Sequence, residues 1–429
     1  DTVGMNMGVV GVLMALSKLF DAVTDLFFGL FLDRTKSKLG TARPWMLFCY
    51  IGCAVMLVAI FMVPESWGKT AQYIYFFITY TLLNAVFFTA NNIAYATLTA
   101  LVTKNTSERV QLGSIRFMFA FATTMILQAV TIDAVTGMGG NAAAWKAMAV
   151  IYAVIGLITN TISVFSVKEL PPEELYKTDM EVIQIAQKPY TLLEGARLLL
   201  SNKHYMMICG VYFLSQLCQS SLNMGLYFMK YVLGNEGLLR TFALFANVPL
   251  ILGLIVIPWL VKKLRGMYKL NIVGYFLAVL GRLGVLVSAY IGSIPAMLVF
   301  SGIASLGTSP LQGGMNALIA SCSEYTFLTK RKRIDGTMYS CSSFGIKAGG
   351  SLGTAICGWL MAAAGYVENA ATQTASTVNM LHILYLWVPI ILNIAIVLLL
   401  RYLNVEKANE KVLAAKLRQY DNPATLTSM

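Results

Sequence analysis

Eleven apolar segments, each long enough to cross the roughly 30 Å hydrocarbon core of a membrane, run through this chain of 429 residues. Hydrophobic residues make up 57% of the chain and charged residues 12%, against about 25% charged residues in a soluble domain. The sequence therefore predicts an all-α polytopic membrane protein. The segments are 5–32, 44–63, 71–101, 109–133, 145–167, 205–233, 238–260, 270–293, 295–325, 336–366 and 381–403.

Positively charged loops indicate which ends of these segments face the cytoplasm. Six connecting and terminal stretches on one side hold 24 of the 32 Lys and Arg residues, whereas the other side holds four. Because positive loops resist translocation, the richer side is predicted to be cytoplasmic. The formal net charge of +12 then reflects topology and contact with anionic membrane lipids, and it does not indicate nucleic-acid binding.

The same orientation places Asp1 outside, although the chain opens with neither a Met nor a signal peptide. We therefore expect one further helix upstream, which would make twelve and put both termini of the full-length protein in the cytoplasm. The predicted domains are an N-terminal bundle lacking its first helix, a cytoplasmic linker with an amphipathic stretch at 190–200, a C-terminal bundle and a cytoplasmic tail. They cover 1–167, 168–203, 204–403 and 404–429, respectively.

The first apolar segment carries three charged residues on one face, Lys18, Asp21 and Asp25, with the hydroxyl of Thr24 beside them. Ionisable groups inside a membrane cost a few kcal/mol at least, so they persist where they bind an ion, pair or line a polar path. Two carboxylates one turn apart repel each other when empty, which favours a site for Na⁺ or H⁺. The alternative is a polar seam in which Lys18 serves both carboxylates as counter-ion.

A long spacing pattern, D-x3-D-x3-G-x3-[DN]-x-T-x-S-x2-G-x2-[RK]-P-W, begins at Asp21 and ends at Trp45. In this pattern the chain resembles the glycoside-pentoside-hexuronide:cation symporters of the major facilitator superfamily, the relatives of melibiose permease. Later stretches extend the resemblance over nearly the whole chain. They are NIAYATL at 92–98, ERVQLGSIR at 108–116, YFMKYVLGN at 227–235, EYTFLTKRKRIDG at 324–336 and KAGG at 347–350.

The resemblance implies a major facilitator fold of two six-helix bundles, of which this chain holds eleven spans and lacks the first helix. It implies cation-coupled sugar symport by alternating access in the plasma membrane of a bacterium, by a monomer with no cofactor besides the coupling ion. The implied cation site, and the metal site if the ion is Na⁺, is formed by Asp21, Asp25, Thr24 and Thr89.

The resemblance also implies a substrate site and a gate. Lys347 would close a charge network between the two halves near the cation site. The implied substrate-binding residues are Asn92, Tyr95, Arg116 and Lys347. The implied charge network of the gate is Lys18, Asp33, Arg34, Arg43, Glu324, Arg333 and Asp335.

The chain departs from the family at positions near the implied substrate. Asn92 stands where melibiose-type members have an Asp that hydrogen-bonds galactosyl hydroxyls, and Ala96 replaces a Trp. A galactoside is therefore not expected, although Asn92 can still donate to and accept from the hydroxyls of another polyol. Ser321 and Phe327 replace acids, so the gate of that half is expected to differ from the family pattern.

Four bases lie deep within the predicted segments and outnumber the two deep carboxylates, which favours an anionic substrate such as a hexuronide. Arg116 has an alternative role, pairing with an acid of the helix expected upstream, and Arg282 is interpreted as structural. The four bases are Lys18, Arg116, Arg282 and Lys347.

Two other functions fit the same sequence. A cation-dependent transporter of lysolipids or other amphiphiles shares the paired carboxylates, and a non-transporting sensor could use the same fold. An enzyme is not expected, because the two histidines lie near segment ends and the sequence has neither H-E-x-x-H nor a glycine-rich phosphate loop.

Overall fold

The computed structural model describes residues 7–35, 37–64, 66–171, 174, 191–235, 237–264, 266–332, 334–367, 370 and 372–420. Within these ranges every regular element is a helix. Helices suit such a chain because an α-helix satisfies its own backbone hydrogen bonds where no water can. Arg333 and half of the predicted linker, namely 172, 173 and 175–190, lie outside the described residues, as does the side chain of Lys18.

Sixteen α-helices and two π-helices make up the described part of the chain. The first π-helix, Leu82–Phe88, joins α3 to α4, and the second, Ile383–Trp387, joins α14 to α15. The α-helices are α1 Met7–Arg34, α2 Arg43–Ile60, α3 Lys69–Thr81, α4 Thr89–Val102, α5 Thr106–Gly137, α6 Ala142–Ser166, α7 Leu192–Ser201, α8 Lys203–Leu222, α9 Gly225–Tyr231, α10 Leu238–Leu264, α11 Tyr268–Ile291, α12 Ile294–Lys330, α13 Asp335–Ala363, α14 Ala375–His382, α15 Val388–Tyr402 and α16 Val405–Tyr420.

Eight helical runs among the described residues are long and apolar enough to cross a membrane. They are Arg43–Ile60, Lys69–Val102, Thr106–Leu127, Ala142–Ser166, Leu238–Leu264, Tyr268–Ile291, Ile294–Lys330 and Ala375–Ala415. The other three predicted segments correspond to α1, to α8 with α9, and to α13, which are helical but outside this set. The count of eleven spans, and the helix expected upstream, remain predictions.

One predicted segment is interrupted. The predicted span 205–233 contains a break, because α8 ends at Leu222 and α9 starts at Gly225. The backbone N–H of Asn223 closes the last turn of α8 on the carbonyl of Gln219, and the ring of Tyr385 lies directly against Gly225. Apolar composition alone does not locate such a break in the backbone.

The described helices fold as two compact units. Unit 1 comprises Asp1–Lys104, Phe119–Ala196 and Arg331–Phe344, and in it α1 packs on α3, the first π-helix and α4, while α2 packs on α4 and α6. Unit 2 comprises Asn105–Met118, Arg197–Lys330 and Gly345–Met429, and in it α12 packs on α10 and α11, and α15 packs on α8 and α11. The first turns of α13 thus belong to unit 1.

In unit 1 the start of α2 is held by a carboxylate from far along the chain. The Glu169 carboxylate accepts the backbone N–H groups of Thr41, Ala42 and Arg43 at 2.7, 2.9 and 3.0 Å. These amides have no partner within the helix, and the helix dipole favours a negative charge there. Gly40 precedes them with φ +108°, and a Cβ at that position would lie 2.4 Å from the Glu169 carboxyl carbon.

Unit 2 repeats this arrangement at the start of α11. Both carboxylate oxygens of Glu406 lie within hydrogen-bond distance of the Met267 backbone N–H, at 3.1 and 2.9 Å. Gly266 precedes it with φ +153°, and a Cβ there would lie 2.6 Å from a Glu406 oxygen. In both units, therefore, a glutamate that follows an apolar helix caps the start of a helix that comes earlier in the chain. A glycine with positive φ precedes the start of the capped helix.

We expect Glu169→Ala and Glu406→Ala each to lower the free energy of unfolding by about 1–3 kcal/mol, because backbone amides lose a charged acceptor. Thermal unfolding of the purified protein in detergent measures the effect. Glu174→Ala and Glu410→Ala, at exposed positions, are the matched controls, with changes within about 0.5 kcal/mol. Equal midpoints for the cap variants and these controls would show that the caps contribute nothing.

Candidate functional site

A polar cluster joins α1 to the first π-helix and α4 within unit 1. The hydroxyl of Thr89 donates a short hydrogen bond to Oδ1 of Asp21, and it also lies 2.9 Å from the Asn84 carbonyl oxygen. The hydroxyl of Thr24 lies 3.0 Å from the Asp21 carbonyl oxygen and 2.5 Å from that of Ala85. Three of the four residues predicted for the cation site, Asp21, Thr24 and Thr89, are thus linked through hydrogen bonds.

The first π-helix sets the register of this cluster. At its end the backbone N–H of Thr89 bonds to the carbonyl of Asn84, five residues back, so the chain carries one more residue here than an α-helix would. The same segment supplies the carbonyls of Asn84 and Ala85 that meet the two threonine hydroxyls. Such local π-turns frequently accompany functional sites.

Asp25, the fourth predicted ligand, lies one turn after Asp21 on α1 and is fully buried, whereas Asp21 is half-buried. The backbone carbonyl of Asp25 accepts a hydrogen bond from the hydroxyl of Ser340 in α13. A fully buried carboxyl group in a membrane protein is costly unless a proton, a cation or hydrogen bonds accompany it.

The donor set decides which ions suit this cluster. Carboxylate, hydroxyl and backbone carbonyl oxygens are hard ligands, which suit Na⁺ or H⁺ and not the softer transition metals. Among the described residues, no group of three or more His, Cys, Asp or Glu side chains is arranged to hold a metal ion. The cluster can therefore offer oxygen ligands to a monovalent cation or accept a proton.

The residues predicted to bind substrate fall in both units. Asn92 and Tyr95 follow Thr89 on α4 in unit 1, where Asn92 is half-buried and Tyr95 is 37% exposed. Arg116 on α5 and Lys347 on α13 belong to unit 2 and are half-buried. The predicted approach of Lys347 to the cation site remains a prediction.

Asp33, predicted to belong to the gate, caps a helix. Its carboxylate accepts the backbone N–H groups of Gly336 and Thr337 at 2.7 and 2.9 Å, and the Thr337 hydroxyl at 3.1 Å. The backbones are in close contact, since a Cβ on Gly29 would lie 2.6 Å from the Gly336 carbonyl oxygen. The last turns of α1 and the first turn of α13 are therefore joined through a carboxylate within unit 1.

The other predicted gate residues have different surroundings. Arg43 donates to backbone carbonyls, through Nε to Val164 at 2.8 Å and through a terminal nitrogen to Leu39 at 3.3 Å. Arg34 is exposed at the end of α1, and Asp335 is buried as the first residue of α13.

In unit 2 the fully buried Arg109 pairs with Glu324, the predicted gate residue, at 3.7 Å between nitrogen and oxygen. Sequence reasoning did not assign Arg109 to the gate, although the ERVQLGSIR stretch that carries it was a recognisable signal. It also missed Glu169 and Glu406, which no local pattern marks.

Comparison with known proteins points to one family. Residues 1–407 match the family described as MFS/sugar transport protein. The isoprimeverose transporter of Lactiplantibacillus pentosus is 27% identical over 96% of this chain and 84% of its own length. In Escherichia coli K12, the putative glycoside/cation symporter YagG is 26% identical over 97% and 88%. A glucuronide carrier protein homolog from the same bacterium is 26% identical over 86% and 78%.

Solved structures of transporters include one with a similar fold. The crystal structure of the Escherichia coli fucose:proton symporter is similar, with a TM-score of 0.62 over 93% of this chain and 91% of that chain. At 14% sequence identity this likeness concerns the fold alone.

We expect Asp33→Asn to lower the free energy of unfolding by about 1–2 kcal/mol, because an amide keeps the shape of the side chain but loses the charge at the start of α13. Unfolding in detergent measures it, with Asp133→Asn, at an exposed position on α5, as the control. A midpoint for Asp33→Asn no lower than that of Asp133→Asn would contradict the capping role.

Proposed function

The chain belongs to the MFS/sugar transport protein family, whose members are transporters and not enzymes, and on this premise we propose that it is a cation-coupled symporter. It carries a glycoside, pentoside or hexuronide together with Na⁺ or H⁺ by alternating access. One observation carries the coupling, namely the hydrogen-bonded cluster of Asp21, Thr24 and Thr89 one turn from the fully buried Asp25.

The cluster couples ion to sugar through charge. Asp21 and Asp25 lie one helical turn apart, so they repel each other when both carboxylates are ionised and no ion is bound. A bound cation or proton removes this repulsion and favours the state of the protein that binds sugar. By linkage, bound sugar raises the affinity for the cation by the same factor. The coupling ion is the only cofactor that this cycle needs.

The names of the relatives support a sugar as substrate. One is an isoprimeverose transporter and another a glucuronide carrier homolog, and the putative glycoside/cation symporter supports a coupling cation. Asn92, Tyr95, Arg116 and Lys347 are proposed to contact the sugar, the first by accepting and donating hydrogen bonds.

The proposed setting is the plasma membrane of a bacterium, with both termini of the full-length protein in the cytoplasm. The proposed domains are two helix bundles, 1–167 and 204–403, joined by the linker 168–203 and followed by the tail 404–429. The proposed gate residues are Asp33, Arg34, Arg43 and Asp335 in unit 1 and the Arg109–Glu324 pair in unit 2. The transporter acts as a monomer.

We expect Asp21→Asn and Asp25→Asn to abolish accumulation of sugar against its gradient, because each removes a charge that the coupling cation neutralises. The measurement is uptake of labelled sugar into proteoliposomes of the full-length protein, with an inward gradient of Na⁺ or of H⁺ alone. A panel of glycosides, pentosides and hexuronides identifies the substrate.

Asp133→Asn is the control and should accumulate sugar like the unchanged protein. Sugar counterflow without an ion gradient separates loss of coupling from loss of folding. If Asp21→Asn or Asp25→Asn still accumulates sugar with unchanged ion dependence, the assignment of the cation site is wrong. Uptake of lysolipid and of no sugar by the unchanged protein would favour the assignment as an amphiphile transporter instead.

Thr89→Val tests the hydroxyl that bonds to Asp21. If Na⁺ is the coupling cation, loss of this hydroxyl ligand should raise the half-saturation concentration of Na⁺ about tenfold, which corresponds to about 1.4 kcal/mol. If H⁺ is the coupling ion, loss of a hydrogen bond to the ionised carboxylate favours its protonated form, so the half-saturation concentration of H⁺ should fall. Thr89→Ser restores the hydroxyl and should return the value close to that of the unchanged protein. The measurement is the cation dependence of sugar uptake, and equal values for the Val and Ser variants would contradict the role of the hydroxyl.

A further inference from the structure

The face of α1 that carries the paired carboxylates continues to the end of the helix. Asp21, Asp25, Gly29 and Asp33 follow one another at intervals of four residues. In an α-helix, residues four apart lie about 6 Å apart along the axis and about 40° apart around it. These four residues therefore form one ridge, called here the α1 ridge, which runs from the proposed cation site to the end of α1.

The first two turns of α13 pack on the α1 ridge within unit 1. The hydroxyl of Ser340 donates a hydrogen bond to the backbone carbonyl of Asp25. One turn further along α1, a Cβ on Gly29 would lie 2.6 Å from the carbonyl oxygen of Gly336, so the two backbones touch. In the last turn, the Asp33 carboxylate accepts the Gly336 backbone N–H at 2.7 Å. Three successive turns of α1 thus meet α13, and the first of them carries a proposed ligand of the cation.

Ser340 differs from other serines of α13 in its hydrogen bond. A serine inside a helix commonly donates to a carbonyl one turn earlier in the same helix, as Ser342 does to Met338 at 2.8 Å. The hydroxyl of Ser340 instead reaches across to α1. Its side chain is fully buried, as is Asp25. This hydroxyl therefore joins α13 to the backbone of the residue that supplies the buried carboxyl group.

The burial of Asp25 makes this contact sensitive to the coupling cation. A carboxylate that water cannot reach is costly unless a cation, a proton or hydrogen bonds accompany it. While α13 packs on the α1 ridge, it helps to exclude water from Asp25, so this packed arrangement binds the cation more tightly than one in which water reaches the carboxylate. The same sign holds for Na⁺ and for H⁺. By linkage, a bound cation favours the packed arrangement by the same factor.

We propose that Ser340 is a positioning residue of the cation site and that its hydrogen bond to Asp25 transmits the occupancy of that site to α13. Ser340 acts through the backbone of Asp25 and does not touch the ion. Lys347, proposed to contact the sugar, lies seven residues further along α13, on the same face of the helix. Ion binding at α1 thereby acts on a helix that carries a proposed sugar contact. The inference rests on the proposed cation-coupled symport and adds a residue to its coupling.

Ser340→Ala removes the hydroxyl and keeps a small side chain. In proteoliposomes of the full-length protein, we expect the half-saturation concentration of the coupling cation for sugar uptake to rise about fivefold, as expected for loss of one ordinary hydrogen bond. Sugar counterflow at saturating cation should stay close to that of the unchanged protein, a split that a general structural defect would not produce. Ser309→Ala is the matched control, since Ser309 is buried and its hydroxyl bonds to the carbonyl of Leu306 in the same helix.

Ser340→Cys measures the packing of α13 on the α1 ridge directly, because cysteine is close to serine in size. A thiol at this buried position should react with N-ethylmaleimide only when α13 leaves the ridge. We therefore expect the coupling cation to slow the reaction about threefold or more, and Asp25→Asn in the same protein to abolish this protection. The seven native cysteines give a background that is measured on the unchanged protein.

The outcomes separate this inference from the proposed function. If sugar uptake by the unchanged protein does not depend on Na⁺ or H⁺, cation-coupled symport fails and this inference fails with it. If uptake depends on the cation but Ser340→Ala has the same half-saturation concentration as the unchanged protein, the role of Ser340 is wrong and the symporter stands. If Ser340→Ala does not fold, as judged by its unfolding midpoint, the Ser340→Cys measurement decides, and equal reaction rates with and without the cation overturn the inference.

Discussion

Three helices in this protein begin on a carboxylate that reaches them from elsewhere in the chain. Asp33 caps the start of α13, Glu169 that of α2 and Glu406 that of α11. Each supplies an acceptor for backbone amides that no helix can satisfy by itself, at the end of the helix where negative charge is favoured. These caps tie the starts of α2, α11 and α13 to distant segments of the chain, in addition to the van der Waals packing between helices.

Most helices were predictable because a membrane needs about 20 apolar residues per span, and that requirement is visible in the sequence. The family was predictable from the spacing between Asp21 and Trp45, and the match of residues 1–407 confirms it. The caps were not predictable, since Glu169 and the amide of Thr41 are 128 residues apart and meet only after folding. The break after Leu222 could not be located from the sequence, because the segment reads as continuously apolar.

The proposed cation site was likewise predictable only in part. The spacing of Asp21, Thr24 and Asp25 on one helix face was predictable from helical periodicity. The hydrogen bond between Asp21 and Thr89 joins residues 68 apart, and only the family resemblance pointed to Thr89. The stretch LLNAVFF has no feature that distinguishes a π-helix from an α-helix, so the register that brings Thr89 to Asp21 could not be derived from the residues alone.

That register depends on a single residue. A π-turn contains one residue more than the α-turn that it replaces, so a one-codon deletion within Leu82–Phe88 restores regular winding. Every later residue of α4 then turns by about 100° relative to α1, and Thr89 leaves the face that meets Asp21. Deletion of one residue would therefore remove the proposed ion coupling of this protein while every side chain of the proposed cation site stays unchanged.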